Sequence, residues 1–275
     1  MFKIVADSSC DIFTKEGIDF ETVPMILYTD EKEYLDDENL DVGKMTNELA
    51  SYKGRSYTAC PSPEGWIKAF KDAEEIYVVT ITSNLSGACQ SANLAKDMYI
   101  SEHPDAKIYV CDSLSTGPEM ALIIEKIAEL KKNGASFEEV CERIEEYTST
   151  TRLFFTLKSL HNLAQNGRIN KAVASAIGML HICIVGTASE QGDIAPINKV
   201  RGEKKAIINT LTEMKKAGYN GGKAYISHVE NEPLANSLAD LIRTEFPQAQ
   251  IKVYPTRGLC SFYAERGGFL IGCEC

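Results

Sequence analysis

The segment at residues 82–92 combines hydroxyl and small side chains in a pattern that predicts an anion-binding helix start. Its sequence is Thr-Ser-Asn-Leu-Ser-Gly-Ala-Cys-Gln-Ser-Ala, and it follows residues 75–81, whose β-branched and aromatic side chains predict a buried parallel strand. Ser86 occupies the predicted N-cap of the helix. The unpaired N–H groups and the positive dipole end at a helix start favour an anion, and a hydroxyl binds that anion without proton transfer. The segment therefore predicts binding of a charged head group before it predicts catalysis.

Two other predicted strands also end in polar loops. Asp7-Ser8-Ser9 follows the first strand of the chain, and Asp112-Ser113 follows the strand predicted at residues 107–111. Ligands of open parallel sheets bind beyond the carboxyl ends of the strands, so neighbouring strands would bring these loops into one polar pocket. The alternative is that these Asp and Ser residues only cap turns and helices.

The hydroxyl of Thr58 is a further candidate in the loop at residues 57–66. Ser62 precedes Pro63, which is the usual pattern of an N-cap followed by proline at the first helical position. Thr58 lies four residues before Ser62 and has no such structural role. It is either a ligand-binding hydroxyl or an ordinary loop residue.

A competing interpretation is an enzyme that acts on a small anionic substrate with Asp7 or Asp112 as the general base. It requires a carboxylate with a strongly raised pKa in a solvent-reachable pocket, and a shallow polar pocket without an apolar tunnel would favour it. A pure interaction module, the third interpretation, predicts no deep cavity. The sequence has no Gly-x-Ser-x-Gly elbow, no Gly-x-Gly-x-x-Gly motif after a strand and no Walker loop, which favours binding over catalysis.

The composition is that of an ordinary globular protein and excludes several classes of function. Of the 275 residues, 44% are hydrophobic and 25% are charged. The net charge of −10 argues against nucleic acid as a partner, because phosphate neutralisation dominates such binding. No apolar run approaches the ~20 residues that span a bilayer, so no stable membrane insertion is expected. The sequence enters its first strand without room for a signal peptide, and a cytoplasmic location is expected.

The nine cysteines predict neither a disulfide framework nor a metal centre. Their number is odd, no Cys-x-x-Cys pair occurs, and His181-Ile182-Cys183 supplies too few ligands for zinc. We expect reduced thiols, no metal and no cofactor.

Alternating strand and helix patterns predict an α/β fold with two domains, residues 1–148 and 149–275. In the first domain we predict parallel strands at 3–6, 76–81 and 107–111, and helices at 42–52, 63–71, 86–100, 119–131 and from the capping box at Ser136. In the second domain we predict strands at 152–157, 181–186, 195–199, 223–227 and 250–254, and helices at 159–165, 204–216 and 233–246.

These motifs, taken in chain order, resemble the DegV family of bacterial fatty-acid-binding proteins over the whole chain. Residues 7–11 resemble the family's opening Asp-Ser motif, and residues 58–63 resemble its Thr-Ser-Gln-Pro-Ser loop. Residues 83–91 resemble Ser-x-Leu-Ser-Gly-Thr-Tyr-Gln-Ser, with Ala88-Cys89 in place of Thr-Tyr. The series is completed by Asp112-Ser113, by residues 160–169 (family Gly-Gly-Arg-Ile, here Asn166-Gly167-Arg168-Ile169) and by Lys199-Val200-Arg201. Singly these motifs are weak, but in this order they are specific.

The resemblance implies two α/β domains, one with a parallel sheet and one with a mixed sheet, and a fatty acid between them. It implies that Thr58, Ser86, Gly87 and Arg168 bind the carboxylate end, while the acyl chain lies in an apolar tunnel. It also implies a partner, a separate fatty-acid kinase that converts the presented acid to acyl phosphate for phospholipid synthesis. The protein itself is then not an enzyme.

One departure from the family pattern concerns the segment at residues 263–269. The family has a His-x-Gly-Pro-Gly segment whose histidine lies near the head group, and here Ala264 or Glu265 replaces that histidine. A carboxylate beside the ligand's carboxylate is repulsive unless Arg266 or Arg168 compensates. The apolar side chains of Ile177, Met179, Leu180 and Ile182 belong either to a tunnel wall or to the core.

Overall fold

The computed structural model describes residues 2–71, 73–170 and 182–275. The strands are β1 (Phe2–Asp7), β2 (Phe20–Val23), β3 (Ile26–Tyr28), β4 (Glu33–Leu35), β5 (Tyr57–Ala59), β6 (Glu75–Thr80), β7 (Lys107–Asp112), β8 (Thr151–Leu157), β9 (Ile182–Ala188), β10 (Ile194–Arg201), β11 (Lys223–His228), β12 (Gln250–Pro255) and β13 (Phe269–Glu274). The helices are α1 (Val42–Ser51), α2 (Pro63–Phe70), α3 (Ala88–Glu102), α4 (Pro118–Lys132), α5 (Phe137–Ser149), α6 (His161–Gln165), α7 (Glu203–Lys216), α8 (Glu232–Glu245) and α9 (Gly258–Ala264). No helix within these described ranges is long and apolar enough to cross a membrane.

The first sheet has the strand order β2-β1-β6-β7, and all of its pairs are parallel. Its central strands are buried on both faces, which explains the continuous apolar runs Ile4-Val5-Ala6 and Ile76-Tyr77-Val78-Val79. The three strands predicted from the sequence are therefore direct neighbours, and the prediction of a parallel sheet is confirmed.

The second sheet has the order β10-β9-β8-β13-β11-β12 and is mixed. Its neighbours are antiparallel except for β11 and β12, which are parallel. All of its strands lie after residue 150, whereas the parallel sheet ends at Asp112. The division of the chain into domains 1–148 and 149–275 itself stays a prediction. The predicted apolar residues Ile177, Met179 and Leu180, and the start of a strand at residue 181, lie outside the described residues.

Helix α4 joins the two sheets. Its residues from Pro118 to Ile124 are all buried, because the helix packs against β1 and β6 of one sheet and against β8, β11 and β13 of the other. Gly272 of β13 permits the close approach, since a Cβ atom there would lie 2.6 Å from the Cα atom of Glu119. The helix that the sequence predicted at 119–131 thus packs against both sheets.

Several short elements were missed from the sequence. The antiparallel sheet β4-β3-β5 is built from strands of three residues each, too short for a period of two to show. Helix α9 has seven residues and no side-chain cap of its own, and β13 directly follows the pair Gly267-Gly268. These elements are stabilised by tertiary contacts that no local pattern records.

Buried carboxylates connect helix α9 to the first half of the chain. Asp36, fully buried after β4, accepts hydrogen bonds from Gly258 N (2.7 Å) and Leu259 N (2.9 Å). Asp11 accepts one from Arg257 N at 2.7 Å. Both carboxylates therefore bind the otherwise unsatisfied N–H groups at the start of α9. Burial raises the pKa of Asp36 to about 6 and that of Asp11 to about 7.

We expect the stability of the folded protein to fall as the pH rises through this range. The unfolded chain releases the Asp11 proton near its ordinary pKa of 3.8, whereas the folded chain holds it up to about pH 7. The stabilising contribution is complete below the lower pKa and is lost as the pH passes the higher one. Urea unfolding at pH 5 and at pH 8 measures this effect. Between these two pH values, the free energy of unfolding of Asp11→Asn should fall less than that of the wild type. The exposed variant Asp19→Asn should show the same fall as the wild type. An unchanged slope in Asp11→Asn would show that this carboxyl is not the titrating group.

Candidate functional site

The three polar loops meet at the carboxyl ends of β1, β6 and β7. Ile81 N donates to Asp7 Oδ2 at 2.7 Å, and Ser83 N donates to Asp112 Oδ1 at 3.2 Å. Thr82 N donates to Ser115 O at 2.8 Å. The convergence predicted from the sequence is therefore present.

The carboxylates of Asp7 and Asp112 accept hydrogen bonds within these loops and do not line an open pocket. Asp7 is fully buried, and its carboxylate accepts from Ser9 N and the Ser9 hydroxyl as well as from Ile81 N. Burial raises its pKa to about 6. Asp112 accepts a further bond from Leu114 N at 3.1 Å. Neither residue lines the cavity described next, so neither meets the accessibility requirement for a general base.

A cavity of about 300 Å³ lies between the two sheets, and we call it the central cavity. Most of its lining side chains are apolar, namely Met25, Ala59, Ile81, Leu85, Leu153, Phe155, Leu157, Leu163, Ala188, Ile194, Leu259, Ala264 and Leu270. Its size and apolar wall, with a small number of polar groups, are those of a small-molecule site. The third interpretation of the sequence, a module without a deep cavity, is not supported.

Four of the polar lining residues lie together at one end, the polar end of the central cavity. They are Thr58, Ser86, Arg168 and Tyr263. Thr58 Oγ1 and the Tyr263 hydroxyl are hydrogen-bonded at 2.8 Å, and Arg168 Nε donates to the carbonyl of Leu85, the neighbour of Ser86, at 3.2 Å. Gly87 completes this end, because a Cβ there would lie 3.2 Å from Cys60 Sγ on the Thr58 loop. The four residues that the resemblance selected are thus adjacent.

Ser86 lies at the start of helix α3, but it is not the N-cap that the sequence predicted. Residues 82–86 form a turn in which Ser86 N donates to Thr82 O, so the helix begins two residues later, at Ala88, with Gly87 at the N-cap. The Ser86 hydroxyl accepts a bond from Ala88 N at 3.3 Å. Its own proton has no acceptor among the described residues and is available to a ligand.

Arg168 brings a positive charge to the polar end. Its Nε bonds Leu85 O, and its Nη1 donates to Asn166 O at 2.6 Å, so the guanidinium is held between the α3 loop and the end of α6. No carboxylate of the described chain lies within ion-pairing distance of it. A half-buried guanidinium without an acidic partner favours an anionic ligand, which it binds through its remaining N–H groups.

Tyr263 is a site residue that the sequence analysis missed. It extends from α9 beside the pocket-lining Ala264, and burial raises its pKa, so the hydroxyl stays protonated. The family pattern pointed instead to Ala264 and Glu265, which stand where the family has its histidine. The signal that could have identified Tyr263 is its hydroxyl, directly before Ala264 in the sequence.

The expected repulsion by Glu265 does not arise. Its carboxylate accepts a hydrogen bond from Asn162 N at 3.1 Å, at the start of α6, and it does not line the central cavity. Arg266 pairs with Glu230 at 2.8 Å on the surface and is not the compensating cation. Arg168 therefore lines the central cavity without a competing carboxylate from this segment.

The side chains of β8 form the floor of the central cavity. Leu153, Phe155 and Leu157 alternate along the strand and point to the same face. Leu157 packs with Leu163, whose carbonyl accepts from Arg168 N at 2.8 Å, which places Leu157 at the polar end. Leu153, with Thr187 and Ala188, forms the far end, roughly 13 Å away at ~3.3 Å per residue. The floor thus forms an elongated apolar path that starts at a cation and three hydroxyls.

The described residues contain no group of three or more His, Cys, Asp or Glu side chains that could hold a metal ion. The titratable residues in the wall of the central cavity are Cys60, Arg168, Asp193, Cys260 and Tyr263. None of the cavity wall's described residues is a histidine.

The sequence and the fold of this chain are similar to those of known proteins. The profile of the DegV family, a family of uncharacterised proteins, matches residues 1–272. A DegV domain-containing protein of Streptococcus pneumoniae is 44% identical over 277 residues, with 99% of each chain covered. The solved structure of a DegV family protein from Eubacterium eligens, loaded with heptadecanoic acid, is 48% identical, with a TM-score of 0.98 over 100% of this chain and 99% of that chain.

A second similar structure is the Fatty Acid Kinase (Fak) B3 protein of Streptococcus pneumoniae loaded with linoleic acid. It is 43% identical to this chain, with a TM-score of 0.96 and 99% coverage of both chains. Since the profile and both kinds of relative match the chain over nearly its whole length, this protein belongs to the DegV family.

Proposed function

We propose that this protein binds a long-chain fatty acid in the central cavity and presents its carboxylate to a separate fatty-acid kinase. The observation that carries the proposal is the guanidinium of Arg168, which has no acidic partner among the described residues. It lies beside the hydroxyls of Thr58, Ser86 and Tyr263, at one end of an elongated apolar cavity. Similar proteins at 48% and 43% identity hold heptadecanoic acid and linoleic acid.

The apolar part of the central cavity and its polar end contribute differently to binding. Each methylene group that leaves water contributes roughly 0.8 kcal/mol, so the acyl chain supplies most of the affinity. The guanidinium and the hydroxyls fix the orientation of the carboxylate. The guanidinium and the Ser86 hydroxyl each donate a hydrogen bond to an anion, and so does one hydroxyl of the Thr58–Tyr263 pair, because the other donates within the pair. Gly87 itself carries no side chain that could block the approach of the carboxylate to the start of α3.

The protein is proposed to be a carrier and not an enzyme. The competing enzyme has little support, because Asp7 and Asp112 are occupied by backbone N–H donors outside the cavity wall. The kinase supplies the phosphoryl group, and the partnership is suggested by the likeness to the Fak B3 protein. A cytoplasmic location stays part of the proposal.

Mass spectrometry of the native protein tests the ligand directly. Protein purified from a bacterial host without detergent is expected to carry fatty acid in a one-to-one ratio. Apo protein should take up added palmitic acid and should support acyl phosphate formation only when a fatty-acid kinase and ATP are both present. No bound acid and no uptake would contradict the proposal, and phosphate transfer without the kinase would contradict the carrier role.

We expect Ser86→Ala to weaken fatty-acid binding by ~1.5–3 kcal/mol, the range for a hydrogen bond to a charged group. The change leaves the apolar wall intact, so the loss should be similar for acids of different chain length. Isothermal titration with palmitic acid measures it. Ser101→Ala, at the exposed far end of helix α3, is the matched control, and equal affinities in the two variants would remove Ser86 from the site.

A further inference from the structure

Phe155 and Gly186 form a pair in the floor of the central cavity. They lie directly opposite each other in the antiparallel pair of β8 and β9, so they face the same side of the sheet. A Cβ atom at position 186 would lie 2.5 Å from Cε2 of Phe155 and closer still to its Cζ. The aromatic ring therefore occupies the space that any side chain at position 186 would need.

The position of this ring matters because it lies halfway along the floor. Leu157 is at the polar end and Leu153 is at the far end, with Phe155 between them. The opposite neighbour of Phe155 in the sheet is Leu270, whose side chain also lines the cavity. A chain that extends from Arg168 to Leu153 must therefore cross the Phe155 ring.

We propose that Gly186 leaves the space in which the Phe155 ring lies against β9, and that this pair determines how long an acyl chain the protein accepts. With glycine at 186 the ring lies over the strand, and the path to Leu153, Thr187 and Ala188 stays open. A side chain at 186 displaces the ring into the path, and only acids that end before Phe155 then fit. This inference rests on the proposed function and adds a preference for long acyl chains over short ones.

The test is the dependence of affinity on chain length in Gly186→Ala. For the wild type, affinity for saturated acids from octanoic to octadecanoic acid is expected to rise about fourfold per methylene until the far end is filled. For Gly186→Ala the rise should stop several methylenes earlier, so that octanoic acid binds as in the wild type and palmitic acid binds on the order of a hundredfold more weakly. Gly43→Ala is the control, because a Cβ there meets only Asp41 Oδ1, at an ordinary 3.6 Å.

A double variant separates the ring from other effects at position 186. A Cβ there would also lie 2.7 Å from Ala195 O on β10, so the single variant alone could disturb that strand. Gly186→Ala with Phe155→Leu removes the ring and should restore palmitic acid binding to within a few-fold of the wild type. If Gly186→Ala does not fold, Phe155→Trp in the wild-type background tests the same point, since a larger ring should shorten the accepted chain in the same way.

The outcomes distinguish this inference from the function on which it rests. A wild type that binds no fatty acid of any length contradicts the proposed function. A wild type that binds long acids, together with folded Gly186→Ala or Phe155→Trp of unchanged chain-length profile, overturns only the role of the pair. Failure of the double variant to recover palmitic acid binding also overturns it, because the defect then comes from β10 and not from the ring.

Discussion

Asp36→Ala is expected to lower the free energy of unfolding by about 3 kcal/mol near neutral pH. The Asp36 carboxylate is fully buried and accepts hydrogen bonds from the Ser8 hydroxyl (2.9 Å), Gly258 N and Leu259 N. Alanine leaves these three donors without a partner in the interior, and each unsatisfied donor costs ~1–3 kcal/mol, partly offset because a buried charge disappears. Urea unfolding followed by circular dichroism measures the change.

The matched control for this variant is Asp97→Ala on the exposed face of α3, which should change the stability by less than about 0.5 kcal/mol. Because Asp36 binds the start of α9, and α9 carries Tyr263, Asp36→Ala should also weaken fatty-acid binding. A variant as stable as the wild type would mean that water or a shifted neighbour replaces the carboxylate, and that α9 is held by its apolar contacts alone.

The periodic elements of this fold are predictable from the sequence, and the short ones are not. Helix α4 and strands β1 and β6 show patterns long enough to reveal which faces are buried, and the capping box at Ser136 marks the start of α5. Helix α9 depends on Asp36, 222 residues away from Gly258 in the chain. No local pattern contains such a contact, so propensity alone leaves the segment unassigned.

The site was predictable where its residues lie in local motifs, and it was not predictable where they depend on contacts distant in the chain. Thr58, Ser86 and Arg168 each lie in a segment with a family motif, and the structure brings these three together. The placement of Ser86 at the N-cap was wrong by one residue, because a turn closed by Ser86 N and Thr82 O precedes the helix. Tyr263 and the Phe155–Gly186 pair are recognisable only when β8, β9 and α9 are placed in space. The roles of these residues in binding stay predictions.

Arg168→Met is expected to give the largest loss of fatty-acid affinity, about 3 kcal/mol or roughly 150-fold. Methionine keeps much of the apolar stem of arginine but removes the charge that faces the carboxylate. The loss should exceed that of Ser86→Ala, because the guanidinium supplies both a charge and more than one donor, whereas the hydroxyl supplies one. Titration with palmitic acid measures the loss, with Arg143→Met on the exposed face of α5 as the control.

A fatty alcohol of the same length shows whether the lost affinity is that of the charge. For the wild type, palmitic acid should bind far more tightly than hexadecanol, because the alcohol gains the same apolar burial but has no charge to pair with Arg168. In Arg168→Met the two ligands should bind with nearly equal affinity, since the alcohol loses little and the acid loses its ion pair. An acid that keeps its advantage over the alcohol in this variant would place the carboxylate away from Arg168, beside Thr58 and Tyr263 alone.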